Sequence, residues 1–496
     1  MKPKLLTALL SFAVSFSWAQ DFPGFRAGNY TGVNGVFYNP ASIADSRYRF
    51  DFNLISVSTG VGNSNASYNI NSLVKSFDVD SLQNQIFGRQ AGLSSGLVSV
   101  DIHGPSFMFN TGRKSAFALT TRGRTMANII DVDGRIAHQL LNDMDEMDEN
   151  GPQYPYTVAS NANTRIAVNA WSEVGLSYGR VLKDKGAHFF KGGLTLKYLL
   201  GAANVYVNMN QIKGTINEDA AGDVYLANTT GRVAVGIGGI GLSEVDFTNI
   251  KQMKSRGLGA DIGFVYEFRP DHESYKMGED NELMRDRNKY KVKLGVALLD
   301  LGKIRYTRDV SKTGEYAVDI TGSERFYVDE FSETEVEDYN EFFNSRPEYF
   351  TAAGKALQST YPVALPTTLQ LDVDYRLHRG FYAQLAAQLP LSTNQVYNSR
   401  YYSSVTLTPR YEGRAIGLYV PINYNSLTHF NAGVSLRMGP LFIGSGSVLT
   451  AAFGNAKQAD VHVGLHFAGL QKNKFKKEQK KLKKQNRKND AEQQSL

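Results

Sequence analysis

Apolar and polar residues alternate along most of the chain, in short stretches separated by turn residues. In the clearest example the apolar positions are Leu369, Leu371, Val373, Tyr375 and Leu377, followed after Arg379-Gly380 by Phe381, Ala383, Leu385, Ala387 and Leu389. A period of two places one set of side chains on each face of a strand. The two stretches and their Gly-containing turn therefore predict a β-hairpin.

The same alternation recurs over much of the chain. Regular stretches are 258–268, 290–298, 405–412, 416–424 and 460–467, and less regular ones are 50–57, 97–102, 115–122, 174–182 and 194–207. A membrane barrel strand turns an apolar face to lipid and a polar face to the lumen. We therefore expect an all-β fold: a single transmembrane antiparallel β-barrel of about 14 strands.

A soluble β-sandwich also alternates, because each strand buries one face. Tyr and Phe near the strand ends and mixed charges on the polar faces favour the membrane barrel. Breaks in the pattern predict loops, at the acidic segments 143–151 and 329–341, the charged segment 271–289 and the long glycine-rich segment 206–248.

The first residues are typical of an export signal. Lys2 and Lys4 precede the apolar run Leu5 to Phe16, and Ser17-Trp18-Ala19 follows with small residues where a signal peptidase cleaves. The run is shorter than the ~20 residues of a spanning helix, which argues against a retained anchor. The chain has no cysteine, which excludes a lipoprotein anchor, disulfides and thiolate chemistry.

The charge of the chain is concentrated at its end. The net charge is +6, but residues 472–488 hold ten Lys or Arg and one Glu, so the rest is slightly acidic. Two interpretations of the tail remain open: a solvated disordered run, or an electrostatic tether to acidic phospholipid or to an acidic partner. Its candidate contact residues are Lys476, Lys477, Lys480, Lys481, Lys483 and Lys484.

The segment Gly32 to Ala44 (GVNGVFYNPASIA) carries a family resemblance. Its core resembles the start of FadL-like barrels, the long-chain fatty-acid transporter superfamily, which includes the PorV-like accessory barrels of type IX secretion. Weaker matches follow at GLGADIGFVYEF, GVALLDLGKIRY, LPTTLQLDVDYRL, GPLFIGSGSVLT and ADVHVGLHF, so the resemblance spans about residues 28–470. It implies an outer-membrane barrel with an N-terminal plug inside the lumen, in which Asn39, Pro40 and Ala41 form the plug motif.

The predicted organisation follows from these features. Residues 1–19 are a signal peptide, 20–46 the plug segment, 47–470 the barrel and 471–496 the basic tail. The expected location is the outer membrane of a Gram-negative cell, with both termini in the periplasm because an even-stranded barrel begins and ends on the same side.

Three short patterns suggest chemistry, and each has a plainer interpretation. Gly236 to Gly241 fits G-x-G-x-x-G, yet a dinucleotide site needs a helix on the third glycine within a βαβ unit, so a glycine-rich loop is favoured. Gly92 to Gly96 fits G-x-S-x-G but lacks a strand-to-helix elbow, which favours a turn. His462 and His466 share a strand face ~13 Å apart, too far to hold one ion. We therefore predict no catalytic, cofactor or metal site.

Charged residues on the polar faces are more informative. If the register holds, twelve point into the lumen: Asp101, Asp261, Glu267, Lys291, Lys293, Asp372, Asp374, Arg376, Arg410, Glu412, Arg437 and Asp460. Both signs occur, so we expect them to pair with one another and with the plug. An ion-selective porin would instead carry an excess of one sign at its constriction.

Two functions of different classes remain. The first is a non-catalytic structural or adaptor subunit of an envelope machine for protein secretion or barrel assembly, which the basic tail, the charged lumen and the PorV-like similarity favour. The second is a passive port for hydrophobic small molecules, which the FadL resemblance implies. Expected partners are outer-membrane lipid, proteins of a membrane complex and, for the port, a hydrophobic ligand. Nucleic acid is excluded by the compartment.

Overall fold

The structure is a computed structural model that describes residues 21–70, 92–135, 153–161, 164–240, 253–277, 282–332, 334–354 and 356–471. The predicted signal peptide and the tail lysines lie outside these residues, as does the acidic segment 143–151. Within the described parts of the chain, no helix is both long and apolar enough to cross a membrane.

Fourteen antiparallel strand positions form a closed barrel, which confirms the predicted fold class. The strands are β1 Tyr48–Asn63, β2 Leu93–His103 with Ser106–Asn110, β3 Ser115–Asp133, β4 Thr164–Lys185, β5 His188–Glu218, β6 Val224–Gly239 with Ser255–Phe268, β7 Val292–Thr307, β8 Thr360–Ala364 with Thr368–His378, β9 Phe381–Pro390, β10 Ser404–Glu412, β11 Ile416–Tyr419 with Ile422–Asn425, β12 His429–Ala432 with Val434–Met438, β13 Leu441–Ser445 and β14 Gln458–Leu470.

Each strand pairs with the next along the chain, and β1 closes the barrel on β14. The closing register runs from Tyr48 opposite Leu470 to Gly62 opposite Gln458. The start of β1 and the end of β14 therefore lie at the same end of the barrel, which we call the terminus end. The opposite end, where the longer connections lie, is the loop end.

Burial along the strands is opposite to that of a soluble protein. On β8 the side chains of Val373 and Leu377 are 47% and 56% exposed, whereas Asp374 between them is fully buried. Apolar side chains thus cover the outside and charged ones fill the inside, as a lipid environment requires. The alternation that predicted the hairpin of β8 and β9 is the same alternation of outward and inward residues.

The prediction of an irregular segment at 206–248 is wrong for its described part. β5 continues to Glu218, and the first part of β6 returns beside it as an extended hairpin. The glycines that suggested a loop make room for aromatic rings, since a Cβ at Gly238 would lie 2.5 Å from the Tyr361 hydroxyl. The predicted turn at 92–96 is likewise wrong, because Leu93 already begins β2.

The extended hairpin carries a small folded cap at the loop end, comprising residues 309–354. Gly314–Ile320 pairs with β6 on one side and with Phe350–Ala352 on the other. Two short helices, α1 Asp329–Ser332 and α2 Tyr339–Asn344, lie in the segment predicted as an acidic loop. Their aromatic residues pack against Phe326, Phe343 and Phe350, which explains why Phe and Tyr interrupt the acidic run. A third helix, α3 Val448–Phe453, joins β13 to β14.

Candidate functional site

The lumen is occupied by the chain's own N-terminal part, residues 21–47, which we call the luminal segment. It contains three short 3₁₀ turns, Phe25–Ala27, Gly32–Phe37 and Pro40–Ile43. Asn39 caps the last turn, because its side-chain oxygen accepts a hydrogen bond from the Ala41 amide at 2.9 Å. Its amide nitrogen donates to the carbonyls of Phe264 and Val296 on the wall, at 3.2 and 3.3 Å.

Wall glycines admit this part of the luminal segment at close range. A Cβ at Gly263 of β6 would lie 2.8 Å from Asn39 Cγ and 3.0 Å from Pro40 Cδ, and Gly193 of β5 faces the Pro40-Ala41 backbone. Ala41 is fully buried there. The Asn39-Pro40-Ala41 motif therefore fits a surface from which Cβ atoms have been removed.

Ion pairs hold the end of the luminal segment at the terminus end. Asp45 lies 2.8 Å from the Arg269 guanidinium and 3.3 Å from the Lys289 ammonium. Burial alone would raise the pKa of Asp45, but the cations Lys289, Arg269 and Arg47 around it hold that pKa well below its ordinary value. Asp45 is thus a fixed negative charge at this end of the segment.

The first part of the luminal segment contacts strands β8 to β10 on the other side of the barrel. Arg26 donates to Gln370 at 2.8 Å and, more weakly, to Gln388 at 3.4 Å. The Asn29 amide donates to Glu412 at 2.9 Å. These contacts of residues 21–29 are side-chain hydrogen bonds and not a β ladder.

A second internal element comes from the connection between β9 and β10, residues 391–403, which we call the inner loop. The carbonyl of Tyr397 accepts hydrogen bonds from Asn169 and Asn204, both at 3.1 Å, and the Arg400 amide donates to Asn128 at 3.0 Å. The inner loop thus enters the loop-end half of the lumen. No pattern in the sequence signalled this, because a loop that folds inward has no periodicity of its own.

The two internal elements touch. The hydroxyl of Tyr401, at the end of the inner loop, donates to Asp21 of the luminal segment at 3.0 Å, and Arg124 of β3 donates to the same hydroxyl at 2.7 Å. Arg122 of β3 also reaches Asp21, at 3.3 Å. A movement of either element therefore disturbs the other.

One side of the lumen is lined by buried ion pairs. We call it the charged wall, and it comprises Asp101, Arg122, Arg124, Glu173, Lys197, Asp261 and Asp300 from β2 to β7. Lys197 is its centre, at 2.8 Å from Asp261 and 2.6 Å from Asp300. Arg124 lies 2.8 Å from Asp300 and 3.1 Å from Glu173, and Arg122 lies 2.6 Å from Asp101.

The opposite side carries uncharged polar side chains from the level of Asp374 to the loop end. We call it the neutral strip, and it comprises Gln370, Gln384, Gln388, Ser404, Thr406, Thr408, Asn425 and Gln458 from β8 to β11 and β14. Some of its bonds are to other uncharged polar side chains: Asn425 donates to Gln458 at 3.2 Å, and the neighbouring Asn423 donates to Thr406 at 2.7 Å. No ion pair lies among these side chains.

Three cavities lie along this side, between the internal elements and the wall. The largest, about 110 Å³, is at the terminus end beside Asn29 and Asp45. The second and third, about 20 Å³ each, follow toward the loop end. The first two share Gln370 and Gln384 as lining residues, and the second and third share Gln388. Because neighbouring cavities share lining residues, the three form a row along this side of the lumen.

A cluster of aromatic rings covers the inner face of β14 beside β1 and β2. The Phe25 ring stacks on Phe442 at 3.7 Å between centroids, and Phe22 lies 5.8 Å from the His462 ring. His462 is fully buried, and neither of its ring nitrogens has a hydrogen-bond partner. His466 bonds Asp51 at 2.8 Å. The two histidines thus lie on the same inner face but have no hydrogen-bond partner in common.

Four of the luminal charges predicted from the sequence form one buried group in the terminus-end half. Arg410 lies 2.6 Å from Asp374 and 3.1 Å from Glu412, and Lys293 lies 3.1 Å from Asp374. Asp261 belongs to the charged wall, as does Asp101, and Glu267 pairs with Arg269 at 2.6 Å. Asp372 lines the largest cavity.

The remaining predicted charges lie near the barrel ends or bond to backbone. Lys291 directly precedes β7, which begins at Val292, and therefore lies at the terminus-end rim. Its ammonium group lies over the ring of Tyr375, which points outward. Arg376 bonds the Tyr275 hydroxyl in the β6–β7 connection. Arg437 donates to the Gly413 carbonyl at 2.7 Å, and Asp460 accepts from Ser447 at 2.7 Å.

Most of the charged wall was absent from the sequence prediction. Arg124, Glu173 and Lys197 lie on β3, β4 and β5, whose alternation is less regular. Asp300 lies at an irregularity of β7, where the register with β6 shifts between Leu298 and Leu301 and the residue has a positive φ of 59°. A shift in register hides such a residue from a period-two pattern.

The three candidate chemical patterns show no site geometry. Gly236 to Gly239 ends the first part of β6, and Ser94 lies within β2. Among the described residues, no group of three or more His, Asp or Glu side chains is placed to hold a metal ion.

The chain matches one protein family and is similar to several solved structures. Residues 40–446 match the model of a family described as "Family of unknown function (DUF5723)". No curated protein matches the sequence. Similar solved structures include a FadL homologue of Pseudomonas aeruginosa, with 10% identity, a TM-score of 0.40 and coverage of 90% of this chain and 96% of that one.

Two further similar structures are a toluene transporter and a monoaromatic hydrocarbon channel. The toluene transporter TbuX of Ralstonia pickettii has 9% identity and a TM-score of 0.37, covering 89% of this chain and 95% of that one. A mutant of the monoaromatic hydrocarbon channel TodX has 8% identity and a TM-score of 0.38, covering 92% and 98%. FadL-type barrels are thus among the structures to which the chain is similar, as the N-terminal motif predicted, and the likeness concerns the arrangement of strands alone.

Proposed function

The chain belongs to the DUF5723 family, a family of unknown function, and we propose that it is a non-catalytic, gated port of the outer membrane for small molecules. Residues 21–29 of the luminal segment and the inner loop form the gate. The row of three cavities beside the neutral strip is the observation that carries the proposal. Packed interiors leave few voids larger than a water molecule, and the cavity of about 110 Å³ at the terminus end of the row exceeds that size several-fold.

The contacts of the gate are of a kind that can be exchanged. Besides the ion pair of Asp21 with Arg122 and the packing of Phe22 and Phe25 in the aromatic cluster, residues 21–29 reach the wall through hydrogen bonds such as those of Arg26 and Asn29. Such bonds contribute only about 0.5–1.5 kcal/mol net when water replaces the partner, or about 1.5–3 kcal/mol where one partner is charged. The cavities of about 20 Å³ are too small for a solute. Passage of a solute therefore requires the gate to move. The plug motif around Asn39 can stay in place during this movement.

A cysteine latch tests this proposal in a chain without native cysteine. A Cβ at Gly446 would lie 2.9 Å from Pro23 Cβ, and a Cβ at Gly179 would lie 3.4 Å from Ala44 Cβ. A disulfide needs about 3.5–4.5 Å between Cβ atoms, so both pairs close after small shifts. The variant P23C/G446C holds the gate, and A44C/G179C is the matched control that holds the far end of the luminal segment.

Uptake of small solutes into outer-membrane vesicles containing the protein is compared before and after reduction, with vesicles lacking the protein as baseline. We expect oxidised P23C/G446C to lose the uptake due to the protein and to regain it on reduction, whereas A44C/G179C passes solute in both states. Equal uptake by oxidised and reduced P23C/G446C would show that residues 21–29 do not gate. Baseline uptake for every solute, in the wild type as well, would refute the port.

A second candidate, the adaptor subunit, is favoured by the folded cap. Residues 309–354 contain twelve acidic and three basic residues, and their aromatic core fixes the acidic side chains on a defined surface. Together with the basic tail beyond Gln471, the cap offers two surfaces of opposite charge for protein partners. A gentle-detergent pulldown of the full chain and of a truncation after Gln471 tests this function: a stoichiometric partner that is lost with the tail supports it, and a lone barrel in both forms contradicts it.

A further inference from the structure

We infer that the port takes an uncharged, hydroxyl-rich solute of the sugar class, recognised along the neutral strip. The inference rests on the proposed port and goes beyond it, because it replaces the hydrophobic cargo that the FadL resemblance implies. It depends on the chemistry of the side chains along the row of cavities.

The neutral strip offers donors and acceptors together, without charge. The amides of Gln384 and Gln388 each present two N–H donors and a carbonyl acceptor, and the hydroxyls of Thr406 and Thr408 each donate and accept. Sugar hydroxyls also donate and accept, so each can replace one bond of the strip with another of similar strength. Gln388 lines both the second and the third cavity, where a solute passes from one to the next.

The strip is unsuited to an ionic solute. The largest cavity is lined by charges of both signs, among them Asp45, Lys293 and Asp372, so the selection against ions falls on the two cavities beyond it. Among the described residues, Arg26 is the single charged residue that lines the second cavity, and its guanidinium already donates to Gln370. Of the described residues that line the third cavity, none is charged. The charges across the lumen are paired with one another, as for Lys197 with Asp261 and Asp300. A charged solute would lose its hydration in this region without gaining a counter-charge.

A hydrocarbon suits the strip no better. Sites for apolar ligands are lined mainly by apolar side chains with a few polar groups. Along the second cavity the wall contributes three amides and three hydroxyls, with Ala386 and Ala387 as its apolar residues. A hydrocarbon there would leave those amides without partners, at about 1–3 kcal/mol for each buried group.

Aromatic faces complete the loop end of the row. Tyr401 and Tyr402 line the third cavity beside Leu427. Tyrosine combines a flat apolar face with a polar tip, which matches a sugar ring with its apolar face and hydroxyl rim. The third cavity thus offers a place where a ring enters the row before its hydroxyls reach Gln388.

Uptake of three probes into the outer-membrane vesicles described above tests the inference. Glucose is the neutral probe, glucuronate has the same ring with a carboxylate, and toluene is the hydrocarbon. We expect the protein to accelerate glucose uptake and to leave glucuronate and toluene at the baseline of vesicles without it. The substitutions Q384M and Q388M preserve length and remove the amides, and each should lower glucose uptake about five- to tenfold.

The control is Q358M, because Gln358 is exposed in a loop away from the row. The inference is overturned if glucuronate or toluene gains more from the protein than glucose does, or if Q384M and Q388M behave like Q358M. In either case the port itself stands. Loss of all protein-dependent uptake in the wild type would instead refute the port and this inference with it.

Discussion

The charged wall and the neutral strip face each other across the same lumen and differ in kind. On the charged wall every member is an ionised group held by opposite charges, with Lys197 shared among Glu173, Asp261 and Asp300. On the neutral strip the bonds join amides and hydroxyls, as between Asn425 and Gln458. The two sides therefore differ in how they respond to change. The charged wall cannot lose one ion without leaving another unpaired, whereas the amides and hydroxyls of the neutral strip can exchange hydrogen-bond partners.

The register shows that both sides extend to the same height. Asp300 follows Leu299, which pairs with Thr368, and Gln370 two residues further pairs with Gln388. A solute at the strip therefore lies opposite the ion pairs. The four carboxylates and three cations of the charged wall each lie close to an opposite charge, so their charges are committed to one another and fix the wall.

The largest expected effect comes from breaking the charged wall at its centre. The substitution K197M leaves Glu173 and Asp300 with Arg124 and takes from Asp261 its ion-pair partner, and removal of one partner of a buried pair costs about 3–5 kcal/mol. On the neutral strip, Q388M should cost about 1 kcal/mol. Urea unfolding of the protein in phospholipid vesicles measures both free energies.

The double substitution K197M/D261N provides the control for that pair. Removal of one uncompensated carboxylate should restore at least about 1 kcal/mol relative to K197M alone, since like charges no longer face each other. If K197M and Q388M lower the free energy of unfolding equally, the two sides do not differ energetically and the comparison fails.

Sequence periodicity predicts the wall of the barrel much better than its contents. A period of two is imposed by lipid outside and polar groups inside, so it identified the hairpin of β8 and β9 and placed Asp374 and Arg410 on the inner face. The position of Asp300 depends on a shift in register, which leaves no periodic signal. The inner loop is invisible for the same reason, because its position is set by bonds such as Asn204 to the Tyr397 carbonyl.

The motif Asn39-Pro40-Ala41 is the part of the lumen that the sequence did indicate. It did so through resemblance and not through periodicity, and its geometry explains why those residue types stand there. Asn39 caps the turn and bonds the wall, and Ala41 fits against Gly193. Pairing across the lumen, in contrast, is a property of three-dimensional proximity, which no local pattern encodes.

An effect of intermediate size is expected where the luminal segment meets the neutral strip. The substitution R26M removes a charged donor from Gln370 and Gln388 and should cost about 1.5–3 kcal/mol. Hydrogen exchange of the amides in residues 21–29 should accelerate, because their anchor to the strip is lost. R379M, at an exposed turn between β8 and β9, is the control that leaves both quantities unchanged. Unchanged exchange in R26M would mean that the strip does not hold the gate.

The smallest expected effect is a coupling energy at Tyr401, the inner-loop residue that contacts both sides. Its hydroxyl accepts from Arg124 of the charged wall and donates to Asp21, while the residue lines the third cavity of the row. The substitution Y401F keeps the ring and removes both bonds to charged partners, at about 1.5–3 kcal/mol. In a double-mutant cycle with D21N, measured by urea unfolding, residues in contact should show a coupling of about 0.5–1 kcal/mol. A coupling of zero would mean that the inner loop and the luminal segment move independently. A measurable coupling would mean that Tyr401 links the energy of the charged wall to the position of the residues that line the row of cavities.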